Sequence, residues 1–271
     1  MSNIPGLFGI LNITTDSFSD GGAYLDPDKA LEQALALHAG GADIIDIGPA
    51  SSHPDSTPVS AQTEIERLTT LVPALQANNI PVSIDSYQTQ TQRWALQNNV
   101  DWMNDIHGFA DPDLYSDLAT SDCRLVVMHA IQSAGAATRT PPPEGDIFEH
   151  ICRFFDMRLA ELVQAGINQT RIVIDPGMGF FLGDKPEPSL TMLARIDELK
   201  TLFGLPVLVS VSRKSFLRKL SGRSVEESAP VTLAAELWAA AKGVDYIRTH
   251  DPSQLRDALK IKAHLSDFVK N

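Results

Sequence analysis

The sequence predicts a single α/β domain over residues 1–271, folded as a (β/α)8 barrel of the TIM type. Three observations lead to this prediction. Short apolar runs typical of buried strands recur along the chain, segments with helical spacing separate them, and several runs end in polar or ionisable side chains. Strands that alternate with helices are parallel and joined by right-handed crossovers, so we expect their carboxyl ends to share one rim.

Eight runs have the character of strands. They are Leu7–Asn12, Ile44–Ile47, Val82–Asp85, Trp102–Asn104, Leu125–His129, Ile172–Asp175, Val207–Val211 and Tyr246–Arg248. An open, doubly wound sheet is the alternative, and it usually carries a glycine-rich first turn. The stretch that follows the first run, Ile13-Thr14-Thr15-Asp16-Ser17, contains no glycine. The barrel is therefore favoured.

The segments between these runs carry helical signals. Asp26-Pro27 forms an N-cap and first-turn pair, Leu31 and Leu35 share a face with several alanines, and Gly40-Gly41 ends the helix. Similar apolar stripes are Ile65/Leu68/Val72/Leu75, Leu193/Ile196/Leu199, an alanine-rich segment from Ser228 and Pro230 to about Gly243, and Leu255/Leu259. The loops Ile13–Leu25 and Gly48–Val59 are long and polar, which is typical of binding loops.

The composition limits the classes of partner. A net charge of −12 and a pI near 4.9 argue against binding to nucleic acid or to an anionic membrane surface. Cys123 and Cys152 have no metal-binding or redox spacing, and we interpret both as reduced core thiols. The sequence shows no signal-peptide pattern and no apolar run near ~18 residues, so a cytoplasmic enzyme is expected.

The predicted strand ends bring ionisable and amide side chains to one basin. Its predicted members are Asn12, Asp85, Asn104, His129, Asp175, Lys214, Arg248 and His250. The oxygens of Asp85, Asn104 and Asp175 can accept from N–H groups, and the amide can also donate. This set suits the edge of a flat, aminopyrimidinone-like heterocycle. The alternative is that the two aspartates cap the helices that follow them.

A second group is cationic. Arg213-Lys214, with Arg248 and His250, indicates a site for phosphate or carboxylate, and Ser215 lies where backbone N–H groups could reach an anion. A solvated basic helix start is the alternative. No carboxylates have the spacing of a metal cage, so Mg²⁺ would arrive with phosphates and take few protein ligands. No Ser-His-Asp or Cys-His arrangement is evident, so covalent catalysis is not favoured.

Several motifs together resemble the dihydropteroate synthase family over nearly the whole chain. They are the segment from Gly9 through Asn12 to Gly22, Asp85, Asn104-Asp105-Ile106, Met128-His129, Asp175-Pro176-Gly177, Ser212-Arg213-Lys214-Ser215 and Arg248-Thr249-His250. The resemblance implies a (β/α)8 transferase of folate biosynthesis, usually a homodimer. Such enzymes join 6-hydroxymethyl-7,8-dihydropterin diphosphate to p-aminobenzoate and release pyrophosphate.

The resemblance also implies residue roles. The pterin would contact Asp85, Asn104, Asp175 and Lys214, of which Asp85, Asp175 and Lys214 would be catalytic. Mg²⁺ would meet Asn12, and the pyrophosphate would contact Asn12, Ser52, His53, Arg248 and His250. The p-aminobenzoate would contact Ser215, Arg213, Phe180 and Phe181. Pyrophosphate would leave first, and the aryl amine would then attack a pterin-methyl cation.

Two departures from the family pattern matter. The second loop reads Ala50-Ser51-Ser52-His53-Pro54-Asp55 where the family usually has Glu-Ser-Thr-Arg-Pro-Gly. The family's Asp-Pro-Gly-x-Gly-Phe-Gly-Lys segment becomes Asp175-Pro176-Gly177-Met178-Gly179-Phe180-Phe181-Leu182-Gly183, which is about two residues longer and contains one additional aromatic, Phe180 or Phe181. This combination resembles the mobile, sulfonamide-insensitive members of the family. We hypothesise that Phe180 or Phe181 crowds the p-aminobenzoate pocket and excludes sulfonamides, whereas simple loop packing is the alternative.

Two other functions are compatible with parts of the pattern. A pterin-binding methyltransferase that serves a corrinoid would share the Asp85, Asn104 and Asp175 pocket, but it has no use for Ser212-Arg213-Lys214-Ser215. A non-catalytic pterin-binding protein would be supported only by the changed second loop.

Overall fold

The chain was analysed as a computed structural model that describes residues 4–14 and 26–269, without the side chains of residues 267 and 269. The predicted loop Ile13–Leu25 therefore lies outside the described residues beyond Thr14.

Eight parallel strands form the sheet. They are β1 Gly6–Asn12, β2 Ile44–Gly48, β3 Val82–Asp85, β4 Trp102–Asp105, β5 Arg124–Met128, β6 Ile172–Asp175, β7 Leu208–Val209 and β8 Tyr246–Thr249. Their order is β6-β5-β4-β3-β2-β1-β8-β7, and a bridge between Ile174 and Val207 joins β6 to β7. The Ile174 N–H donates to the Pro206 carbonyl at 3.0 Å across this seam. The sheet thus closes on itself, which confirms the predicted barrel.

Ten α-helices are described between and after these strands. They are α1 Pro27–Ala39, α2 Ala61–Ala77, α3 Thr89–Gln97, α4 Tyr115–Thr120, α5 Ile147–Gln164, α6 Glu187–Ala194, α7 Ile196–Phe203, α8 Ser215–Ser221, α9 Ala229–Ala241 and α10 Pro252–Val269. Asp26 caps α1 as predicted, since its carboxylate accepts from the Asp28 N–H at 3.0 Å. The prediction was wrong for Leu35, which is exposed, because Ala30, Ala34 and Leu37 form the buried face.

The barrel interior changes from apolar to polar along the strands. Its lower layer is a separate apolar cluster of Phe8, Ile44, Trp102, Val126, Val173 and Leu208 with Tyr246 packed against it. Side chains two positions further along a strand share the same face. That periodicity places Asp46 above Ile44, Asn104 above Trp102 and Asp175 above Val173. The amino end of the barrel is therefore filled with hydrocarbon, and the carboxyl end is left for polar side chains.

Candidate active site

A cavity of about 180 Å³ opens at the carboxyl end of the barrel. Predicted site residues that line it are Asn12, Ser52, His53, Asp85, Phe180, Phe181, Arg213, Lys214, Ser215, Arg248 and His250. A small extension of about 20 Å³ below it adds Asn104 and Asp175. The structure therefore brings every predicted site residue to one basin except His129, which lies beneath it.

Arg248 lies at the centre of the basin between two carboxylates. Its Nε donates to Asp46 and its Nη2 donates to Asp85 Oδ2 at 2.6 Å. Burial alone would lower the pKa of Arg248, but the two carboxylates outweigh it and raise the pKa. Sequence reasoning missed Asp46, which is fully buried. The available signal was its place in β2, two residues after an inward-facing isoleucine.

Burial sets the protonation of the other ionisable groups in the basin. It raises the pKa of Asp85 to about 7, although the charge of Arg248 acts to lower it. It raises the pKa of Asp175 to about 6, although the hydrogen bond from the Gly177 N–H acts to lower it. Burial also lowers the pKa of Lys214 to about 8, and Arg248 lowers it further. These three pKa values therefore lie close to neutral pH, which is typical of functional sites.

Neither aspartate caps a helix, so that alternative was wrong. Helix α3 begins at Thr89 with Gln88 as its cap, while Asp85 is bound to Arg248. Asp175 accepts the Gly177 N–H at 2.8 Å within the turn that follows β6, far from the start of α6.

Several buried side-chain oxygens in and beside the basin lack hydrogen-bond partners among the described residues. They include Asn104 Oδ1, in the basin, and Asp46 Oδ1, on the carboxylate that holds Arg248. An unpaired buried acceptor is costly, so such atoms are normally satisfied by a ligand or by water. In a basin that also holds Asp85 and Asp175, they favour a ligand with several N–H donors along one edge.

The turn after β6 depends on His129 and Gly177. The His129 N–H donates to the Asp175 carbonyl at 2.8 Å, and its ring Nδ1 lies 3.1 Å from the Pro176 carbonyl. Gly177 has a φ of +74°, and a Cβ there would lie 2.3 Å from the His129 carbonyl oxygen. Burial lowers the pKa of His129 to about 3, so the imidazole is neutral. His129 therefore supports the turn that carries Asp175 and does not line the basin.

The cationic side of the basin is built from the segment after β7 and from the end of β8. His250 Nδ1 lies 2.9 Å from Ser212 Oγ, which also accepts the His250 backbone N–H at 3.2 Å. Burial, then Arg213, Arg248 and Lys214, lower the pKa of His250 well below its ordinary value. His250 is therefore a neutral hydrogen-bonding group, and Arg248 and Lys214 supply the positive charge.

The Phe180-Phe181 pair lies in a short 3-10 turn, Gly179–Phe181, and its two rings have different partners. Phe181 is buried, and Lys214 Nζ lies 4.8 Å from its ring centroid. The Phe180 ring meets the His53 ring at 5.8 Å and nearly at right angles. Phe181 thus supports the inner basin, whereas Phe180 forms part of its outer wall.

The described residues contain no group of three or more His, Cys, Asp or Glu side chains arranged to hold a metal ion. Asn12 lines the cavity, and its Oδ1 lies only 2.9 Å from where a Cβ on Gly48 would stand. A single amide oxygen fits Mg²⁺ only as a minor ligand, with phosphate oxygens supplying most of the coordination. Within the described chain, no helix has the length and apolar character needed to cross a membrane.

The sequence profile of the family described as pterin binding enzyme matches residues 8–250. The chain is 58% identical over 264 residues to a type-2 dihydropteroate synthase of Escherichia coli, covering 97% of each protein. It is 51% identical to a type-3 dihydropteroate synthase of Escherichia coli, covering 96% of this chain and 98% of that protein. The barrel superposes on a Xanthomonas albilineans dihydropteroate synthase solved with 4-aminobenzoic acid, with a TM-score of 0.88 and 32% identity, covering 97% of this chain and 94% of that one.

Proposed function

The chain belongs to the pterin-binding enzymes as a dihydropteroate synthase, and on this premise we propose which of its residues bind each part of the substrates. The enzyme is a transferase that joins 6-hydroxymethyl-7,8-dihydropterin diphosphate to p-aminobenzoate and releases pyrophosphate. The observation that carries the assignment is one basin with buried acceptors at its base and cations along its side.

The pterin would lie at the base of the basin, against Asp85, Asn104, Asp175 and Lys214. The unpaired Asn104 Oδ1 and the carboxylate of Asp175 would accept from the ring and exocyclic N–H groups. Lys214 would donate to the heterocycle's carbonyl oxygen, because an ammonium has donors only. A ligand whose donors match these buried atoms would be strongly preferred over one that leaves them unpaired.

The pyrophosphate would lie on the cationic side, against Arg248, His250, Ser52, His53 and Asn12. Arg248 supplies a permanent charge, and the neutral His250 adds a hydrogen bond. The Asp55 backbone N–H donates to His53 Nδ1 at 3.2 Å, which leaves Nε2 as the protonated nitrogen. His53 would therefore be a neutral donor where the family usually has an arginine.

Mg²⁺ is the cofactor that this assignment needs, with Asn12 as its protein ligand. When bound, the ion would neutralise charge on the departing pyrophosphate. Asn12 would orient the diphosphate towards the cationic side of the basin, and substrate oxygens would complete the coordination.

The reaction would begin with cleavage of the bond between the pterin methylene carbon and the diphosphate oxygen, whose electrons leave with pyrophosphate. The carboxylates of Asp85 and Asp175 would stabilise the resulting cation, since fixed charges already oriented towards it cost no reorganisation. The aryl amine of p-aminobenzoate would then form the new C–N bond and lose a proton to solvent.

The p-aminobenzoate would enter between the start of α8 and the outer wall of the basin. Its carboxylate would meet Ser215 and Arg213, which line the cavity, and its ring would pass Phe180 and Phe181. A sulfonamide carries a substituent on its sulfonyl group where p-aminobenzoate has only an oxygen. Phe180 in the outer wall would clash with that substituent, and this is the basis on which we propose low sensitivity to sulfonamides.

We further propose a homodimer in the cytoplasm. Large apolar side chains are exposed on outer helices of the barrel, among them Trp238 on α9 and Ile261 and Leu265 on α10. Helices α9 and α10 contact each other, and we place the subunit contact on this side of the barrel. Both cysteines are free thiols, which fits a reducing compartment.

The test is turnover of dihydropterin diphosphate and p-aminobenzoate by the purified protein with Mg²⁺, with and without excess sulfamethoxazole. Turnover that persists with the drug supports both the site assignment and the proposed wall. Turnover that the drug abolishes contradicts the wall. Pterin binding that does not strengthen when Mg²⁺ and pyrophosphate are added would contradict the division of the basin into two sides.

A further inference from the structure

Arg139 lies where three loops meet above the basin. It belongs to the loop between β5 and α5, residues 129–146. Both of its terminal nitrogens donate to the two carboxylate oxygens of Asp55, in the loop between β2 and α2. Its guanidinium carbon lies 5.5 Å from the ring centroid of Phe180, in the loop after β6. One side chain therefore contacts both of the loops that depart from the family pattern.

The loop that carries Arg139 is bonded to its neighbours on both sides. Three backbone hydrogen bonds make the connection: Ala137 N to Ser52 O at 3.1 Å, Ile131 N to Phe181 O at 3.0 Å, and Asp184 N to Thr140 O at 2.8 Å. The Gln132 side-chain amide also donates to the Phe180 carbonyl at 3.1 Å. These bonds fix the backbone near Phe180 but leave the orientation of its ring to side-chain contacts.

The Phe180 ring packs against an apolar cluster that includes Phe181, and two polar side chains from other loops also contact the ring. His53 meets it at 5.8 Å in an edge-to-face arrangement, and Arg139 lies over the ring. Edge-to-face packing is a preferred arrangement of two aromatic rings, and a cation such as Arg139 is attracted to the negative face of a ring. Asp55 fixes Arg139 through a planar, bidentate pair, which restricts the guanidinium more than a single bond would.

We propose that Arg139 is a specificity-determining positioning residue. Held by Asp55, it keeps the Phe180 ring against the p-aminobenzoate end of the basin, and so limits the size of the group accepted there. This inference rests on the proposed function, in which Phe180 forms the wall that a sulfonamide substituent meets. It adds that the wall is held in place by a side chain that does not contact either substrate.

A direct role for Arg139 in anion binding fits the structure less well. Arg139 is not among the described residues that line the cavity, and both of its terminal nitrogens are engaged by the two oxygens of the Asp55 carboxylate. The hydrogen bond from Arg139 also lowers the pKa of Asp55, which keeps the carboxylate charged over the working pH range. The Arg139–Asp55 pair therefore connects two loops and is not a binding site for pyrophosphate.

The experiment compares Arg139→Ala and Asp55→Asn with Phe180→Ala as reference. Arg153→Ala is the matched control, because Arg153 is an exposed arginine on α5 that pairs with Glu149 at 3.9 Å, away from the basin. The readout is the ratio of the sulfamethoxazole inhibition constant to the KM for p-aminobenzoate. A loss of general stability would lower kcat and the melting temperature without changing this ratio.

We expect the ratio to fall roughly three- to tenfold in Arg139→Ala and in Asp55→Asn, as contacts of this strength allow, and further in Phe180→Ala. Arg153→Ala should keep the ratio of the unchanged enzyme. If Arg139→Ala does not fold, Asp55→Asn decides, because it removes the charge that holds Arg139 and leaves the arginine in place.

Two results would overturn the inference, and they differ in what else they overturn. An unchanged ratio in Arg139→Ala and Asp55→Asn, with a lowered ratio in Phe180→Ala, means that Phe180 forms the wall without help from Arg139. An unchanged ratio in all three variants means that Phe180 is not the wall, and the proposed basis of low sulfonamide sensitivity falls with it.

Discussion

Arg248 Nη2 lies 2.6 Å from Asp85 Oδ2, so a carboxylate that we assign to the pterin binds a cation that we assign to the pyrophosphate. Asp46 holds the other edge of the same guanidinium. Arg248 can therefore keep one carboxylate partner while Asp85 turns to the heterocycle.

Replacement of Asp85 by asparagine should lower kcat strongly. The neutral amide occupies the same space but removes a fixed charge beside the developing cation, and such electrostatic partners are worth about 3–4 kcal/mol. Steady-state turnover with saturating p-aminobenzoate measures the effect, which should be on the order of 10²–10³-fold. Turnover within a factor of about three of the unchanged enzyme would refute the cation-stabilising role.

The pH dependence of kcat/KM for the pterin substrate should be bell-shaped. Activity should fall as the pH drops below about 7, where Asp85 gains a proton, and fall further below about 6, where Asp175 does. It should also fall above about 8, where the lowered pKa of Lys214 removes its charge. Lys214→Arg should move the basic limb to higher pH, and a basic limb that stays in place would assign it to another group.

Asp175→Asn should inactivate the enzyme and yet make it more stable at neutral pH. The pKa of Asp175 rises from 3.8 to about 6 on folding, so the folded protein favours the protonated side chain. The stability that Asp175 contributes is therefore fully present below pH 3.8 and is lost as the pH rises through 6. Removing the buried charge should therefore add up to about 3 kcal/mol at pH 8. Urea unfolding at pH 5 and pH 8 measures this, and equal gains at both would contradict the linkage.

Glu236→Gln provides the matched comparison outside the basin. Burial raises the pKa of Glu236 from 4.5 to about 8, so the same sign applies and stability is lost as pH rises through 8. This variant should gain stability at pH 8.5 like Asp175→Asn but retain turnover, because Glu236 on α9 does not line the cavity.

Gly177→Ala should destabilise the protein far more than Gly204→Ala. Both glycines have positive φ values, +74° and +63°, so each alanine meets the left-handed penalty of about 1–2 kcal/mol. A Cβ at Gly177 would also lie 2.3 Å from the His129 carbonyl, whereas nothing lies within 4 Å at Gly204. Thermal melting of the two variants compares them, and similar shifts would mean that the turn after β6 can move freely.

Asp46→Asn should lower the free energy of unfolding by about 3 kcal/mol, because it leaves the buried Arg248 with one charged partner instead of two. Asp257→Asn, which disturbs an exposed pair with Lys260, should change stability little. Urea unfolding at pH 7 separates the two cases. Equal effects would show that Asp85 alone holds Arg248.

The barrel could be predicted because its signals are local. The strands contain short apolar runs, several of these runs end in polar side chains, and all eight predicted runs overlap an observed strand. Two of the boundaries that differ do so for a tertiary reason. The ladder of β7 is limited to Leu208–Val209, and His129 follows the end of β5, with its N–H bound to the Asp175 carbonyl at the end of β6.

The sequence predicted which side chains come together in the basin but not which residues they contact. Asp46 and Arg248 are 202 positions apart, and no short-range pattern links them. Arg139 and Asp55 are 84 positions apart and lie in loops, where spacing carries little information about contacts. Several side chains of the basin, such as Asp85 and Asp175, stand at strand ends and can be found by register. The side chains that hold them in place are found only once the chain is folded.

The junction between β6 and β7 affects how readily the barrel opens locally. β7 contributes only two residues to its ladder with β8, and an isolated bridge joins it to β6. Asp175 ends β6, and Lys214 follows β7, so an anion and a cation of the basin stand on opposite sides of this thinly bonded junction. Backbone amides along it should exchange with deuterium sooner than those of β1 and β2, whose pairing spans five residues. Any opening there would draw the two charges apart and loosen the basin from beneath.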